Sequence, residues 1–71
     1  MPASAIEIEL NGRRREVRAE LTVAELILEL GLRPEIVAVE VNRDLVTRDR
    51  RAATRLRAGD KVELVTMVGG G

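Results

Sequence analysis

Alternating apolar and polar residues open the chain and predict a β-hairpin. Apolar and glutamate side chains alternate from Ile6 to Leu10, a period of two that gives a strand one buried face. Asn11-Gly12 follows directly, and this dipeptide favours the type I′ turn that joins antiparallel strands. We therefore predict a return strand over Arg14–Arg18, with Val17 facing inward.

A short amphipathic helix is predicted from Val23 to Leu30. Thr22 and Glu25 have the spacing of a capping box, in which each side chain accepts from the other residue's backbone N–H. Gly31 suits the left-handed residue after a last helical turn, and Pro34 prevents continuation. The apolar stripe consists of Val23, Leu26, Ile27 and Leu30. Two turns of helix are not stable alone, so this stripe must pack against a sheet.

The second half of the chain is predicted to contain three strands and one segment whose structure the pattern does not specify. Val37–Val41 alternates as a strand, Asn42–Asp44 is a predicted turn, and Leu45-Val46 is a predicted short fourth strand. The segment Asp49–Leu56 fits no single pattern, and Lys61–Val68 is the last strand. One helix packed across a mixed sheet of four to five strands buries both apolar stripes. We therefore predict an α+β, β-grasp (ubiquitin-like) fold with the first and last strands parallel in the sheet centre.

Composition limits the chemistry that such a fold can perform. The 71 residues form one expected domain, 1–71, with a formal net charge of zero and without Cys, His or aromatic side chains. These absences exclude thiolate nucleophiles, imidazole bases, ordinary zinc sites and base-stacking platforms. We expect a carrier or binding module that is not an enzyme, has no catalytic residue, binds no metal, nucleic acid or membrane, and lies in the cytoplasm.

The end of the sequence is its most informative part. The last predicted strand runs without a spacer into Gly69-Gly70-Gly71. Glycines at a terminus are commonly no more than a frayed end. Their position directly after a patterned strand favours instead a thin, flexible functional tail, since glycine has no Cβ and can pass through a narrow channel.

The chain resembles the ThiS family, the bacterial sulfur carriers of thiamine biosynthesis, from Ile6 to Gly71. The segments that carry the resemblance are Leu10-Asn11-Gly12, Leu21–Leu26, Val37–Asn42, Ala53–Leu56, Gly59-Asp60 and Val65–Gly71. Many members similarly end in Val-Gly-Gly-Gly. Two positions depart from the family pattern: Thr47 stands where Pro is frequent before Arg48, and Arg51 lies near a position that is often aromatic.

The resemblance implies a function for the glycine tail. A partner, an adenylating (ThiF-like) enzyme, would activate the carboxylate of Gly71 with ATP and magnesium. Sulfur would then replace AMP to give a thiocarboxylate, which is delivered to thiazole synthase (ThiG-like). Gly69 and Gly70 would provide reach. The carrier itself would bind no cofactor and would be a monomer when free.

Two surface features are candidate partner contacts. By strand parity Val65 and Met67 lie opposite Val62 and Leu64, so with Val68 they are candidates for docking the activating enzyme. The alternative is that the connection between the third and fourth strands covers them. The arginine-rich stretch 48–57 could bind an acidic partner, although a solvated loop is the simpler interpretation.

Other functions remain open at the level of sequence. The small subunit of molybdopterin synthase has a similar fold, glycine end and thiocarboxylate. A ubiquitin-like modifier would pass the activated acyl group to lysines. A plain interaction domain would have an inert tail.

Overall fold

Five strands, one α-helix and two 3₁₀ helices follow one another in residues 4–67, the part of the chain that the computed structural model describes. The strands are β1 (Ala5–Leu10), β2 (Arg13–Arg18), β3 (Val37–Val41), β4 (Asp44–Leu45) and β5 (Lys61–Thr66). The α-helix α1 covers Val23–Glu29, and the two 3₁₀ helices cover Pro34–Ile36 and Arg48–Ala53.

The strand order of the sheet is β2-β1-β5-β3-β4. β1 pairs with β5 in parallel, through Glu9 opposite Lys61 and Leu10 opposite Val62. β5 pairs with β3 antiparallel over five residue pairs. The predicted β-grasp arrangement, with the first and last strands adjacent and parallel in the centre, is therefore confirmed.

Two tight turns in left-handed backbone fix the register of the hairpins. The β1–β2 turn has φ of 49° at Asn11 and 83° at Gly12, as the Asn-Gly signal predicted. The β3–β4 turn has φ of 53° at Asn42 and 72° at Arg43. This second turn occupies two residues, so β4 begins at Asp44, one residue earlier than predicted, and pairs with Val41.

Both ends of α1 are capped as the sequence predicts. The Glu25 carboxylate accepts from the Thr22 backbone N–H at 2.9 Å, while the Thr22 hydroxyl accepts from the Glu25 N–H at 3.1 Å. Leu30 is the C-terminal cap, so the helix is one residue shorter than predicted. Gly31, at φ 71°, begins a Schellman motif in which the Leu32 N–H donates to the Ile27 carbonyl at 3.1 Å.

One hydrophobic core lies between the helix and the inner face of the sheet. Its fully buried members from α1 are Val23, Leu26 and Ile27, and Leu30 packs at its margin. The strands contribute Ile8, Val17, Val37, Val39, Val62 and Leu64, and Leu21, Val46 and Leu56 complete the core. In the described part of the chain no helix is long and apolar enough to cross a membrane.

Candidate functional site

The last described strand, β5, separates apolar side chains onto two different faces. Val62 and Leu64 are 1% and 9% exposed and belong to the core. On the other side Val65 is 57% exposed, and Met67, directly after the strand, is 54% exposed. The predicted exposure of Val65 and Met67 is confirmed, and the alternative that the β3–β4 connection covers them is wrong.

A third exposed apolar side chain lies on the same outer face. Leu45 is 64% exposed and stands opposite Glu40, which in turn stands opposite Glu63 of β5. We call Leu45, Val65 and Met67 the outer-face patch. Sequence alone did not single out Leu45, because Leu45 and Val46 are both apolar and only the structure shows which of the two is exposed.

Carboxylates border this patch. Glu40 and Glu63 are directly opposite each other in the β3–β5 register, and both are exposed. Like charges in such a pair repel, because their Cβ atoms are only about 4.5–5.5 Å apart. The outer face therefore combines apolar side chains with a local excess of negative charge.

The sheet pairing continues to the last described residue. Val37 stands opposite Thr66, and the Met67 N–H then donates to the Ile36 carbonyl at 2.6 Å. The remaining site predictions concern Val68, Gly69, Gly70 and Gly71, which lie outside the described residues. Their assigned roles therefore stay predictions.

The arginine-rich stretch is ordered, and treating all of it as a solvated loop is wrong. Its first part, Arg48–Ala53, is a 3₁₀ helix in which Arg51 is only 6% exposed. Arg51 donates to the carbonyls of Pro34 and Val37, and Arg48 donates to the carbonyl of Glu35. Composition gave no sign of this burial, since arginine is rarely buried and five arginines crowd the segment.

Two asparagines predicted as turn residues also hold β5 through their side chains. The Asn11 side-chain oxygen accepts from the Leu64 N–H at 2.8 Å, beyond the point where β1 ends. The Asn42 side-chain oxygen accepts from the Lys61 N–H at 3.0 Å, and its amide donates to Asp60. Each residue therefore closes a hairpin and anchors the strand that leads to the tail.

The titratable groups with perturbed pKa serve local structure. Hydrogen bonds from Thr22, and then the charge of Arg18, hold the pKa of Glu25 below its ordinary value of 4.5. The Thr47 hydroxyl donates to Asp49 at 2.7 Å and lowers the pKa of that carboxyl. Within residues 4–67 no group of three or more His, Cys, Asp or Glu side chains could hold a metal ion.

A family comparison matches this architecture. The model of the ThiS family matches residues 6–71, nearly the whole chain. The chain belongs to the ThiS family. The fold agrees with a solved member: the crystal structure of the thiamine biosynthesis protein ThiS from Geobacter metallireducens superposes with a TM-score of 0.81 at 33% identity, covering 93% of this chain and 100% of that one.

Relatives of two kinds are similar in sequence to this ThiS-family chain. Thiazole synthases of Paramagnetospirillum magneticum and Magnetococcus marinus are 38% and 39% identical over 66 residues. That match covers 93% of this chain but only 20% of either relative, so the chain spans a fifth of their length. The uncharacterized protein ycf40 of Porphyra purpurea is 33% identical over 93% of both proteins.

Proposed function

We propose that this chain is a sulfur carrier of thiamine biosynthesis and not itself an enzyme. The observation that carries the proposal is the likeness, over 93% of this chain, to the Geobacter metallireducens protein, which is named as a thiamine biosynthesis protein. The glycine end after β5 supports it, because a carrier needs a slim reactive terminus next to a docking surface.

We propose thiazole synthase as the acceptor of the sulfur. Two proteins of that name contain a segment similar to this chain within one polypeptide. A segment joined covalently to an enzyme meets it at a high effective concentration. Such a fusion fits a carrier that delivers its cargo to that enzyme.

The proposed chemistry takes place at the Gly71 carboxylate and uses catalytic groups of the partners. A carboxylate oxygen attacks the α-phosphorus of ATP on a magnesium-dependent adenylating enzyme, forming an acyl-adenylate and releasing pyrophosphate. A persulfide sulfur then attacks the acyl carbon and AMP leaves. A second thiol reduces the resulting S–S bond, so that the thiocarboxylate is released and a disulfide forms. Activation is needed because a free carboxylate is a poor electrophile.

The outer-face patch is the proposed docking surface for the adenylating enzyme. Val65 and Met67 expose apolar area immediately before the tail, and Leu45 exposes further apolar area two strands away on the same face. Exposed apolar surface next to a reactive terminus is typical of an interaction site. Glu40 and Glu63 would be complemented by basic side chains on the partner, which would also relieve their mutual repulsion.

Intact-mass spectrometry tests the proposed function. The full chain is incubated with ATP, magnesium, a persulfide donor and the adenylating enzyme, and its mass is measured before and after. A carrier gains the difference between one sulfur and one oxygen atom, and loses it again when thiazole synthase and its substrates are added. Lysine conjugates would indicate a modifier, and an unchanged mass would contradict the proposal.

A further inference from the structure

Four consecutive carbonyl groups, from Pro34 to Val37, each accept a hydrogen bond from a distant part of the chain. Arg51 donates to the first and the fourth, with 3.0 Å to the Pro34 oxygen. Arg48 donates to the second, that of Glu35. The third, that of Ile36, accepts from the backbone N–H of Met67. Guanidinium groups therefore hold the segment that receives the end of β5.

Arg51 supplies a hydrogen bond to β3 where no neighbouring strand is present to do so. Alternate carbonyls of a strand point to opposite sides, so the Val37 carbonyl points away from β5, whereas that of Ile36 points toward it. On the far side β4 is only two residues long and pairs with Glu40 and Val41. Arg51 reaches the carbonyl that β4 leaves without a partner.

The arrangement of Arg51 is costly compared with that of an apolar side chain at the same place. The side chain is only 6% exposed, and its Nε atom has no hydrogen-bond partner within residues 4–67. No carboxylate of those residues lies within 4.0 Å of its guanidinium. Burying a charge that only carbonyl dipoles compensate is unfavourable compared with an apolar residue of similar size. If this side chain only filled space, an apolar residue of similar size such as methionine would stabilise the fold more.

The direction of the chain at Met67 determines where the end of the tail lies, so the contacts that hold Met67 also affect the tail. Four residues follow Met67, and extended they span about 13–14 Å. A change of about 10° in the direction of the chain at Met67 would move the end of such a tail by about 2 Å. Misplacement of a reacting group by about 1 Å can slow a reaction by about a hundredfold.

We propose that Arg48 and Arg51 are positioning residues that fix the direction in which the tail leaves the sheet. They act through the Pro34–Ile36 helix, whose last carbonyl holds Met67. This inference rests on the proposed function, because it assigns the arginines to the reaction of the tail. It gives the arginine-rich segment a role inside the carrier, separate from any contact with a partner.

The test compares Arg51→Met, Arg51→Lys and Arg48→Met with Arg50→Met. Arg50 lies in the same 3₁₀ helix, is exposed, and its side chain makes no hydrogen bond within the described residues, so it is the matched control. Two quantities are measured in the full chain: amide hydrogen exchange at Met67 relative to Leu64, and the steady-state rate of adenylation by the activating enzyme. Leu64 reports on the stability of β5 itself, since its N–H is bonded to Asn11.

Arg51→Met should speed exchange at Met67 by about tenfold relative to Leu64, since two hydrogen bonds to the supporting segment are lost. The kcat for adenylation should fall by about tenfold or more while KM for the carrier stays within about twofold. A purely structural role would do the opposite: a partly unfolded carrier raises the apparent KM and leaves kcat at saturation unchanged. Arg51→Lys should restore part of the rate, because lysine can reach one carbonyl but lacks the fork of arginine.

Arg48→Met keeps the inference testable if Arg51→Met does not fold. Arg48 is exposed and supports only the Glu35 carbonyl, so the same two changes should follow at smaller size. The inference is overturned if folded Arg51→Met or Arg48→Met behaves as Arg50→Met in both measurements. If the unaltered chain is not adenylated at all, the proposed function has failed, and exchange at Met67 still decides whether the arginines hold this position.

Discussion

The two faces of β5 hold apolar side chains with opposite surroundings. Val62 and Leu64 point into the core beneath α1, where water is excluded. Val65 and Met67 point outward and are more than half exposed. One strand and the residue that follows it therefore contribute to the core on one side and to the candidate docking surface on the other.

The difference between the faces shows why apolar character alone does not indicate a role. Inner-face residues gain about 25 cal/mol for each Å² of apolar surface removed from water on folding. Val65 and Met67 gain far less in the free carrier, and their apolar surface becomes stabilising only when a partner covers it. Stability and binding should therefore be separable by substitution along this one strand.

Loss of a core side chain should destabilise the fold far more than loss of an exposed side chain near the same strand. Leu64→Ala should lower the free energy of unfolding by about 2–5 kcal/mol, because it leaves a cavity in the core. Met67→Ala should stay within about 0.5 kcal/mol, as is usual at exposed positions. Urea denaturation followed by circular dichroism measures both. Equal losses for the two variants would break the distinction between the faces.

The backbone of β5 is expected to depend on Asn11. Asn11→Gly keeps the left-handed turn accessible but removes the oxygen that accepts from Leu64, so it should cost about 1–3 kcal/mol for an unsatisfied, partly buried N–H. Asn11→Asp keeps an acceptor oxygen and should retain most of the stability. If both variants are as stable as the unaltered chain, the side chain of Asn11 has no part in holding β5.

Binding to the adenylating enzyme should be weakened by substitutions on the outer face and not by substitutions elsewhere on the surface. Met67→Glu should weaken binding to the adenylating enzyme by about tenfold or more, as expected for an apolar residue at the centre of an interface, with little change in Tm. Leu28→Glu is the matched control, since Leu28 is 65% exposed on α1, away from the outer face. Isothermal titration calorimetry gives the Kd values. Equal weakening by both changes would place the docking surface elsewhere, and a large fall in Tm for Met67→Glu would assign Met67 to the core.

A small, pH-dependent effect on stability is expected from Glu25 at the start of α1, which lies on neither face of β5. The Thr22 hydrogen bonds lower the pKa of Glu25 in the folded chain, so the ionised carboxylate stabilises the fold. This contribution is fully present above the unfolded value, near 4.5, and is lost as pH falls through the lower folded value. Thermal unfolding between pH 3 and 7 should show the advantage over Glu25→Gln disappearing at the acid end. A constant difference in Tm across that range would contradict this assignment.

The elements that the sequence predicted well are those specified by neighbouring residues. The Asn11-Gly12 turn, the capping box of Thr22 and Glu25, and the strand alternation are local signals, and each formed as predicted. The parallel pairing of β1 with β5 followed from the order of elements and not from any single motif. Parity along β5 was also sufficient to assign Val65 and Met67 to the exposed face.

The contacts that the sequence could not predict connect distant segments. Arg51 lies 14 residues from Val37, and nothing near Arg51 distinguishes it from the exposed arginines on either side. Its burial depends on where β4 ends and where the Pro34–Ile36 helix lies. Likewise, Leu45 joins the outer-face patch only because the two-residue turn at Asn42 and Arg43 sets the phase of β4.

In the proposed function the chain carries its chemistry at the glycine end, and the fold serves to present that end. ATP–pyrophosphate exchange by the cognate adenylating enzyme tests this most directly, with the full chain compared with a chain lacking Gly70 and Gly71. We predict exchange with the full chain and none with the shortened chain, while Tm is the same for both. Undiminished exchange with the shortened chain would show that the glycine end is not the site of the chemistry.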